Sequence, residues 1–147
     1  MKDISYGYKA DMNLKLVIGL TRSANNIRRA ESHVLRDAGL TYPQFGVLEA
    51  LYHKGDLRVC QIIEKTLSTG GNMTVVIQNL IKDGLITRYK DPEDNRAFIV
   101  QLTDDGRQLM EDVFPKHIEN LDETFAHMTT VEKDQLLLLL KKFNHIN

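Results

Sequence analysis

The chain contains little cysteine and no tryptophan. Its single cysteine, Cys60, excludes a disulfide within the 147-residue chain and any zinc site built from several cysteines, and it fits a reducing compartment. No segment approaches the roughly 20 consecutive apolar residues that span a membrane. The N-terminal stretch MKDISYGYKADMN also lacks the apolar centre of a signal peptide. These absences predict a cytoplasmic protein that makes no membrane contact.

An excess of charge of either sign is also missing. The formal net charge is -1 at pH 7, so the chain as a whole does not attract polyanions. Any affinity for nucleic acid must then come from a local basic surface. The hydrophobic content of 42% is that of an ordinary folded domain and not of a disordered or fibrous chain.

Motifs of catalysis are absent as well. The sequence has no phosphate-binding loop, no dinucleotide fingerprint, no nucleophile elbow and no paired carboxylates in an apolar setting. The histidines are scattered, and Glu123 and His127, one helical turn apart, supply fewer ligands than a metal site needs. We therefore expect neither an enzyme nor a bound metal or other cofactor.

The most informative segment is GLITRYKDPEDNRAFIVQLTDDG, residues 84–106. Residues 85–90 and 97–102 are rich in Ile, Leu, Val, Tyr and Phe and flank the turn-forming cluster DPEDN, so they predict a β-hairpin. Upstream, residues 57–66 and 71–83 have helical spacing, with residues 67–70 as the break between them. This order indicates a winged helix-turn-helix, whose second helix enters the DNA major groove.

Long helical segments lie on both sides of this unit. Residues 11–38 carry apolar side chains at helical spacing, and Thr41 is placed to cap the next helix. Thr103 is expected to cap the helix after the hairpin, and Thr130 to cap a last helix over residues 131–143. The predicted fold class is therefore mostly α with a small β-hairpin wing.

The last of these helices is apolar at every position from 136 to 140. That is more than one face can bury within a small subunit, so it predicts a partner, most simply a second copy related by a twofold axis. The alternative is a helix buried within its own subunit. On the dimer interpretation, residues 1–38 and 103–147 form a helical dimerisation region and residues 39–102 form the winged helix-turn-helix region.

The segments LTYPQFGVLEAL and NMTVVIQNLIKDGLITRYKDPEDNRAFIVQLTDDG resemble the MarR family of bacterial transcriptional regulators, over nearly the whole chain. The most specific elements are GLI-x-R at 84–88, D-x-R at 94–96 and LT-x-x-G at 102–106. The resemblance implies a homodimer, most often a repressor, that binds a pseudo-palindromic site on double-stranded DNA. It also implies release by a small aromatic or phenolic compound or by an oxidant.

The second helix of the pair is expected to present two different faces. One face is predicted to be core, and the other is small and uncharged, with Gly71, Thr74, Val75 and Gln78. Gln78 can bond adenine bidentately through the oxygen and the NH2 of its side-chain amide, and Thr74 and Val75 can contact thymine methyl groups. The alternative is an ordinary solvated face, although such a face more often carries Lys or Glu. Family members often have basic residues near the positions of Val75 and Asn79, and this chain departs from that pattern.

Phosphate contacts are expected from hydroxyls, from backbone N–H groups at the start of the helix and from the basic side chains of the wing. In the family, the aspartate of the D-x-R motif orients an arginine that enters the minor groove, and Asp94 and Arg96 occupy those positions. The alternative for these two is a surface ion pair. The predicted DNA contacts are Ser68, Thr69, Gly70, Gly71, Asn72, Thr74, Val75, Gln78, Arg88, Lys90, Asp94 and Arg96.

The resemblance implies an effector cleft between the helical region and the winged region. The candidate lining residues are Arg22, Asn26, His33, Tyr42 and Phe45, and the alternative for each is an ordinary core or surface position.

Two further interpretations remain open. Cys60 lies near a predicted helix start and close to Arg58, and both features can lower the pKa of a thiol, so a redox-responsive regulator is one alternative. A lone cysteine, however, has no resolving partner in its own chain. The other alternative is a winged helix that binds a protein instead of DNA.

Overall fold

Six helices and three short strands follow one another in the computed structural model, which describes residues 4–66 and 70–145. In chain order they are α1 (Tyr8–Asp37), α2 (Tyr42–Lys54), β1 (Leu57–Arg58), α3 (Val59–Thr66), α4 (Gly70–Lys82), β2 (Ile86–Lys90), β3 (Phe98–Leu102), α5 (Asp104–Thr124) and α6 (Thr130–Phe143). The predicted fold class, mostly helical with a small β wing, is confirmed.

Side-chain caps define where several helices begin. The Thr41 hydroxyl accepts from the Gln44 backbone N–H at 3.3 Å, and the Gln44 side chain accepts from the Thr41 N–H at 2.9 Å, a reciprocal capping box. Thr103 caps α5 by accepting from the Gly106 N–H at 3.0 Å. The cap predicted at Thr130 is wrong. Thr129 caps α6, because Glu132 stands three residues after it and completes the reciprocal pair.

The sheet contains one strand that the sequence did not predict. Its order is β1-β3-β2, and both pairings are antiparallel, with Leu57 opposite Val100 and Ile86 opposite Leu102. Residues 57 and 58 were expected to begin the first helix of the pair, but they form β1 because Leu57 is buried beside the edge of β3. The helix begins at Val59.

The break between the two helices also differs from its predicted bounds, and the ends of α1, β2, β3 and α6 differ from theirs by one to three residues. Gly70 was expected in the break and is instead the first residue of α4. The remainder of the predicted break, residues 67–69, lies outside the described residues.

The core lies inside the winged unit, between α2, α3, α4, the sheet and the first half of α5. The largest side chains that are almost wholly removed from solvent are Val47, Leu48, Leu51, Ile62, Met73, Leu80, Ile86, Val100 and Met110. In contrast, α1 buries only Glu31 and Leu35, and none of the residues described in α6 is buried. No helix in the described part of the chain is both long and apolar enough to cross a membrane.

The start of α5 packs directly on the end of the α4–β2 connection. A Cβ atom on Gly106 would overlap the backbone carbonyl of Leu85, which also accepts a hydrogen bond from the Thr103 N–H at 3.1 Å. Only glycine therefore fits at position 106.

A Gly106→Ala substitution should destabilise the fold, because the new methyl group must displace backbone. We expect a loss of about 1–3 kcal/mol in the free energy of unfolding, measured by urea denaturation at fixed protein concentration. Gly46→Ala is the matched control. The nearest atom to its new Cβ is the Thr66 methyl at 3.6 Å, an ordinary contact, and alanine inside a helix should add about 0.5–1 kcal/mol. Equal changes in the free energy of unfolding for the two variants would contradict the steric requirement for glycine at position 106.

Candidate nucleic-acid interface and effector cavity

Helix α4 has two faces of opposite character. Met73, Val76, Ile77 and Leu80 are buried, with at most 7% of each side chain exposed. The exposed side of the helix carries Asn72, Thr74, Val75, Gln78 and Asn79. The apolar side chain of Val75 is 54% exposed. The exposed face is thus small, uncharged and partly apolar, as a surface that fits against base edges must be.

The start of α4 carries the predicted backbone contacts. Gly70 and Gly71 are its first two residues, and the first N–H groups of a helix have no partner within the helix. Such groups are suited to hold an anion. The predicted contacts at Ser68 and Thr69 lie outside the described residues.

The strands of the wing hold the cations Arg88 and Lys90 at exposed positions of β2. The Arg88 guanidinium lies over the ring of Phe98, on the neighbouring strand, at 4.9 Å from the ring centre. This cation–π contact holds the arginine along the hairpin without neutralising its charge.

The tip of the wing is shaped by Asp94. Its carboxylate accepts from the backbone N–H of Arg96 at 3.0 Å, and its backbone carbonyl accepts from the Ala97 N–H at 2.9 Å. The ion pairs found within the described ranges do not include Asp94 with Arg96, so the alternative of a surface ion pair is not what the structure has. Asp94 therefore orients the Arg96 backbone and leaves its exposed guanidinium available.

An ion pair that the sequence did not reveal lies where β2 passes into the turn of the wing. The Asp91 side chain is buried, and its carboxylate accepts from Arg58 Nε at 2.5 Å and from the Glu93 backbone N–H at 2.8 Å. Those two contacts, the Glu93 N–H first, hold the pKa of the Asp91 carboxyl below its ordinary value. Arg58 lies at the start of the helix-turn-helix, so the pair ties the wing to it.

The same pair changes the surroundings expected for Cys60. The thiol is exposed in the first turn of α3, as a redox site requires. Arg58, the cation expected beside it, instead binds Asp91 and lies 3.6 Å from a Glu93 oxygen. The positive charge of Arg58 is therefore directed at these two carboxylates and not at the Cys60 sulfur.

A cavity of about 690 Å³ lies where α1 and α5 meet α2. Tyr42 and Phe45, two of the predicted lining residues, belong to its wall. Arg22, Asn26 and His33 are exposed on α1 and lie outside this lining, and their assignment to an effector site stays a prediction. With 3.6 residues per turn they share one side of α1. The cavity instead faces the opposite side, where Arg28 and Glu31 lie.

Two ionisable side chains that sequence reasoning missed are buried in this cavity. His117 and Glu31 are 5% and 7% exposed, and His117 Nδ1 lies 3.7 Å from Glu31 Oε1. Burial raises the pKa of the Glu31 carboxyl, and His117 partly opposes that rise. The ring of His117 also lies 4.9 Å from that of Phe45. In sequence, Glu31 resembles the charged residue of a solvated helix face, so no local signal could have found it.

No metal centre is formed by these or other groups in the part of the chain that the structure describes. No three His, Cys, Asp or Glu side chains there come together in a way that could hold an ion.

The uncharged exposed face of α4, flanked by a hairpin with exposed cations, defines a DNA-binding protein of the winged helix-turn-helix class. Residues 29–113 match the family described as transcriptional regulator SarA/Rot. Over 132 residues the chain is 34% identical to the HTH-type transcriptional regulator MhqR of Bacillus subtilis, covering 90% of this chain and 91% of MhqR. The chain belongs to the MarR family of transcriptional regulators.

Solved structures agree with this assignment. BpsR of Bordetella bronchiseptica superposes with a TM-score of 0.81 at 28% identity, covering 88% of this chain and 98% of BpsR. Sco3205 of Streptomyces coelicolor, a MarR family regulator solved in complex with DNA, has the same fold, with a TM-score of 0.85 at 21% identity over 97% of this chain and 91% of Sco3205. The chain is therefore a transcriptional regulator and not an enzyme.

The Asp91 contacts generate a pH-dependent expectation. Because the folded state lowers the pKa of this carboxyl, its stabilising effect is full at neutral pH and is lost as the pH falls below the ordinary range of about 4. Asp91→Asn should therefore lower the melting temperature at neutral pH, and the gap to the wild type should narrow toward a pH of about 2. Thermal unfolding followed by circular dichroism measures both.

Glu93→Gln is the matched control for this substitution. The Glu93 side chain is 88% exposed, and surface pairs contribute little, so this variant should melt close to the wild type at every pH. A gap for Asp91→Asn that stays constant down to the lowest pH would contradict the role assigned to the carboxylate.

Proposed function

We propose that the chain is a homodimeric repressor that binds a pseudo-palindromic operator in the cytoplasm and releases it when a small aromatic or phenolic compound occupies the α1–α2–α5 cavity. The DNA-binding part of this proposal rests on the exposed face of α4, which is free of charge and lies beside the exposed cations of the wing. A solvated face without a function more often carries Lys or Glu.

Two elements, α4 and the wing, contact the bases of the operator in this proposal. Helix α4 lies in the major groove, where Gln78 bonds adenine and Thr74 and Val75 contact thymine methyl groups. The wing lies over the neighbouring minor groove, with the Arg96 side chain inserted and the Arg96 backbone N–H donating to the Asp94 carboxylate.

Phosphates are held by the remaining predicted contacts. These are Ser68, Thr69, Gly70, Gly71 and Asn72 around the start of α4, and Arg88 and Lys90 on β2. Few of these contacts are cationic, so the affinity should depend weakly on salt.

The proposed homodimer rests on apolar surface that the single chain leaves exposed. In α6, Leu137, Leu138 and Leu139 are 56%, 69% and 63% exposed, and in α1, Leu16 and Val17 are 57% and 62% exposed. Apolar patches of this kind on a soluble protein mark an interaction site. We assign residues 1–38 and 103–147 to a dimerisation region, which would set two α4 helices about 34–36 Å apart on the DNA.

The proposed release of DNA by a small compound rests on the position of the cavity. Its wall is contributed by α1 and α5 from the proposed dimerisation region and by α2, α3 and α4 from the winged region, so a bound compound can contact both regions. A ligand that prefers one relative position of these regions would change the affinity for the operator. DNA binding by BpsR is regulated by 6-hydroxynicotinic acid, a hydroxylated aromatic compound, and this supports the same class of ligand here.

The DNA assignment predicts that Arg96→Ala abolishes recovery of specific DNA. Genomic fragments would be selected with the purified protein at physiological salt, and a short inverted repeat should be enriched by the wild type. Loss of a base-directed arginine costs about 1–3 kcal/mol, so the variant should bind the repeat roughly 5- to 140-fold more weakly with its fold intact.

Lys116→Ala is the charge-matched control, since this exposed lysine lies on α5 and is not among the predicted DNA contacts. It should retain the repeat. Enrichment of no sequence by a folded dimer would argue for a protein partner instead of DNA.

The dimer assignment predicts that Leu138→Glu yields monomers, because the charge would lie in the proposed apolar interface. Size-exclusion chromatography with light scattering reports the mass, while Leu138→Met, which keeps an apolar side chain, should remain dimeric. A wild-type monomer, or a Leu138→Glu dimer of unchanged stability, would contradict the assignment of α6.

A further inference from the structure

The hairpin of the wing has one face that continues the core and then becomes basic. Residues opposite each other in the β2–β3 register share a face, which places on one side Ile86, Arg88, Lys90, Phe98 and Val100. Ile86 and Val100 are 2% and 0% exposed and belong to the core, so this side, the inner face, is turned toward the helices. Beyond the core the inner face carries Arg88, Lys90 and Phe98, all exposed. The cations of β2 therefore project on the side of the sheet where α4 packs.

The outer face of the hairpin holds acidic groups. Tyr89 and Ile99 are paired on this face, and the Tyr89 hydroxyl donates to the Asp56 carboxylate at 3.1 Å. Arg58 lies opposite Ile99 in the β1–β3 register, so the side chain that binds Asp91 also belongs to the outer face. These two carboxylates are thus bound on the side away from the two cations of β2.

Phe98 is the neighbour of both cations on the inner face. It lies directly opposite Lys90 and diagonal to Arg88, and an aromatic side chain reaches such a diagonal neighbour. The Arg88 guanidinium lies over the Phe98 ring, 4.9 Å from its centre. The ion pairs found among the described residues include neither Arg88 nor Lys90. The ring is therefore the group that fixes the position of the Arg88 side chain.

Resting on the proposed contact of Arg88 with a DNA phosphate, we propose that Phe98 is a positioning residue of the DNA surface. Its ring holds the Arg88 guanidinium on the inner face of the hairpin before DNA binds. Phe98 thereby raises the affinity for DNA through Arg88 and not through a contact of its own.

An arginine over an aromatic ring keeps its capacity to bind phosphate. The flat face of the guanidinium meets the ring, while its N–H donors point outward in the plane and match two phosphate oxygens. A long side chain without such a support loses its freedom only when DNA binds, and that ordering weakens association. Because the ring already orders Arg88 in the free protein, less freedom is lost on binding.

Packing does not account for phenylalanine at position 98. The side chain is 37% exposed and lies outside the hydrophobic core, whereas Val100, two residues further along β3, is fully buried. Threonine would suit an exposed strand position equally well. Removal of the ring should therefore leave the fold intact, so that an effect on DNA binding can be separated from an effect on folding.

The test is a double-mutant cycle between Phe98→Leu and Arg88→Ala in the full chain. Affinity is measured by fluorescence anisotropy for the enriched inverted repeat and for a random duplex of the same length. We expect Phe98→Leu to weaken binding roughly 3- to 10-fold, because leucine keeps an apolar side chain but has no aromatic face. In the Arg88→Ala background the same substitution should change the affinity less than roughly twofold. The loss should be similar on both duplexes, because a phosphate contact carries no sequence information.

Tyr89→Leu is the matched control, since it removes a ring of nearly equal exposure, 39%, from the outer face of the same hairpin. It should bind DNA like the wild type, and Phe98→Tyr, which keeps the ring, should do so as well. Circular dichroism checks the fold of each variant, and Phe98→Thr replaces Phe98→Leu in the cycle if the latter does not fold. Two results would overturn the inference: unchanged affinity when the ring is removed, or an equal loss with and without Arg88.

The same measurements separate this inference from the proposed function. Binding of the repeat that is lost in Arg96→Ala but unchanged in Phe98→Leu would support the proposed function and overturn the role of the ring. Equal binding of the repeat and the random duplex, weakened by Phe98→Leu only where Arg88 is present, would support the role of the ring and contradict a specific operator. A wild type that binds neither duplex would overturn both.

Discussion

The ion pair between Arg58 and Asp91 is the contact on which the geometry of the winged unit depends. Asp91 is almost completely buried, and a buried carboxylate is tolerated only when charge and hydrogen bonds compensate it. Arg58 and the Glu93 N–H supply that compensation, so the turn of the wing cannot move away from β1 without leaving a costly unpaired charge. The wing is therefore held in a fixed position beside the start of α3.

A second buried polar pair lies in the cavity and behaves differently. Glu31 and His117 lie on α1 and α5, and the His117 ring lies 4.9 Å from that of Phe45 on α2. The Asp91 carboxylate has its hydrogen bonds from Arg58 and the Glu93 N–H, whereas Glu31 Oε2 and His117 Nδ1 have none among the described residues.

Local pattern predicted most of the elements and some of the site. Thr41 and Thr103 were found because a helix cap acts over three residues, and the wing was found because turn-forming residues separate two apolar runs. What local pattern did not predict depends on distant segments. The strand at Leu57 forms because a distant strand pairs with it, and the side of α1 that faces the cavity is set by packing against α5. Nothing near these residues in sequence carries that information.

The sequence by itself determined the class of fold, the family and the candidate reading face of α4, because periodicity, caps and motif spacing all act between near neighbours. Only the tertiary structure decided that Arg58 binds Asp91, 33 residues away, and that Glu31 meets His117 inside a cavity. The physical reason is the range of the interactions. Pairs between distant segments form only after the core has fixed the backbone positions, so their chemistry is a property of the fold and not of any local stretch of sequence.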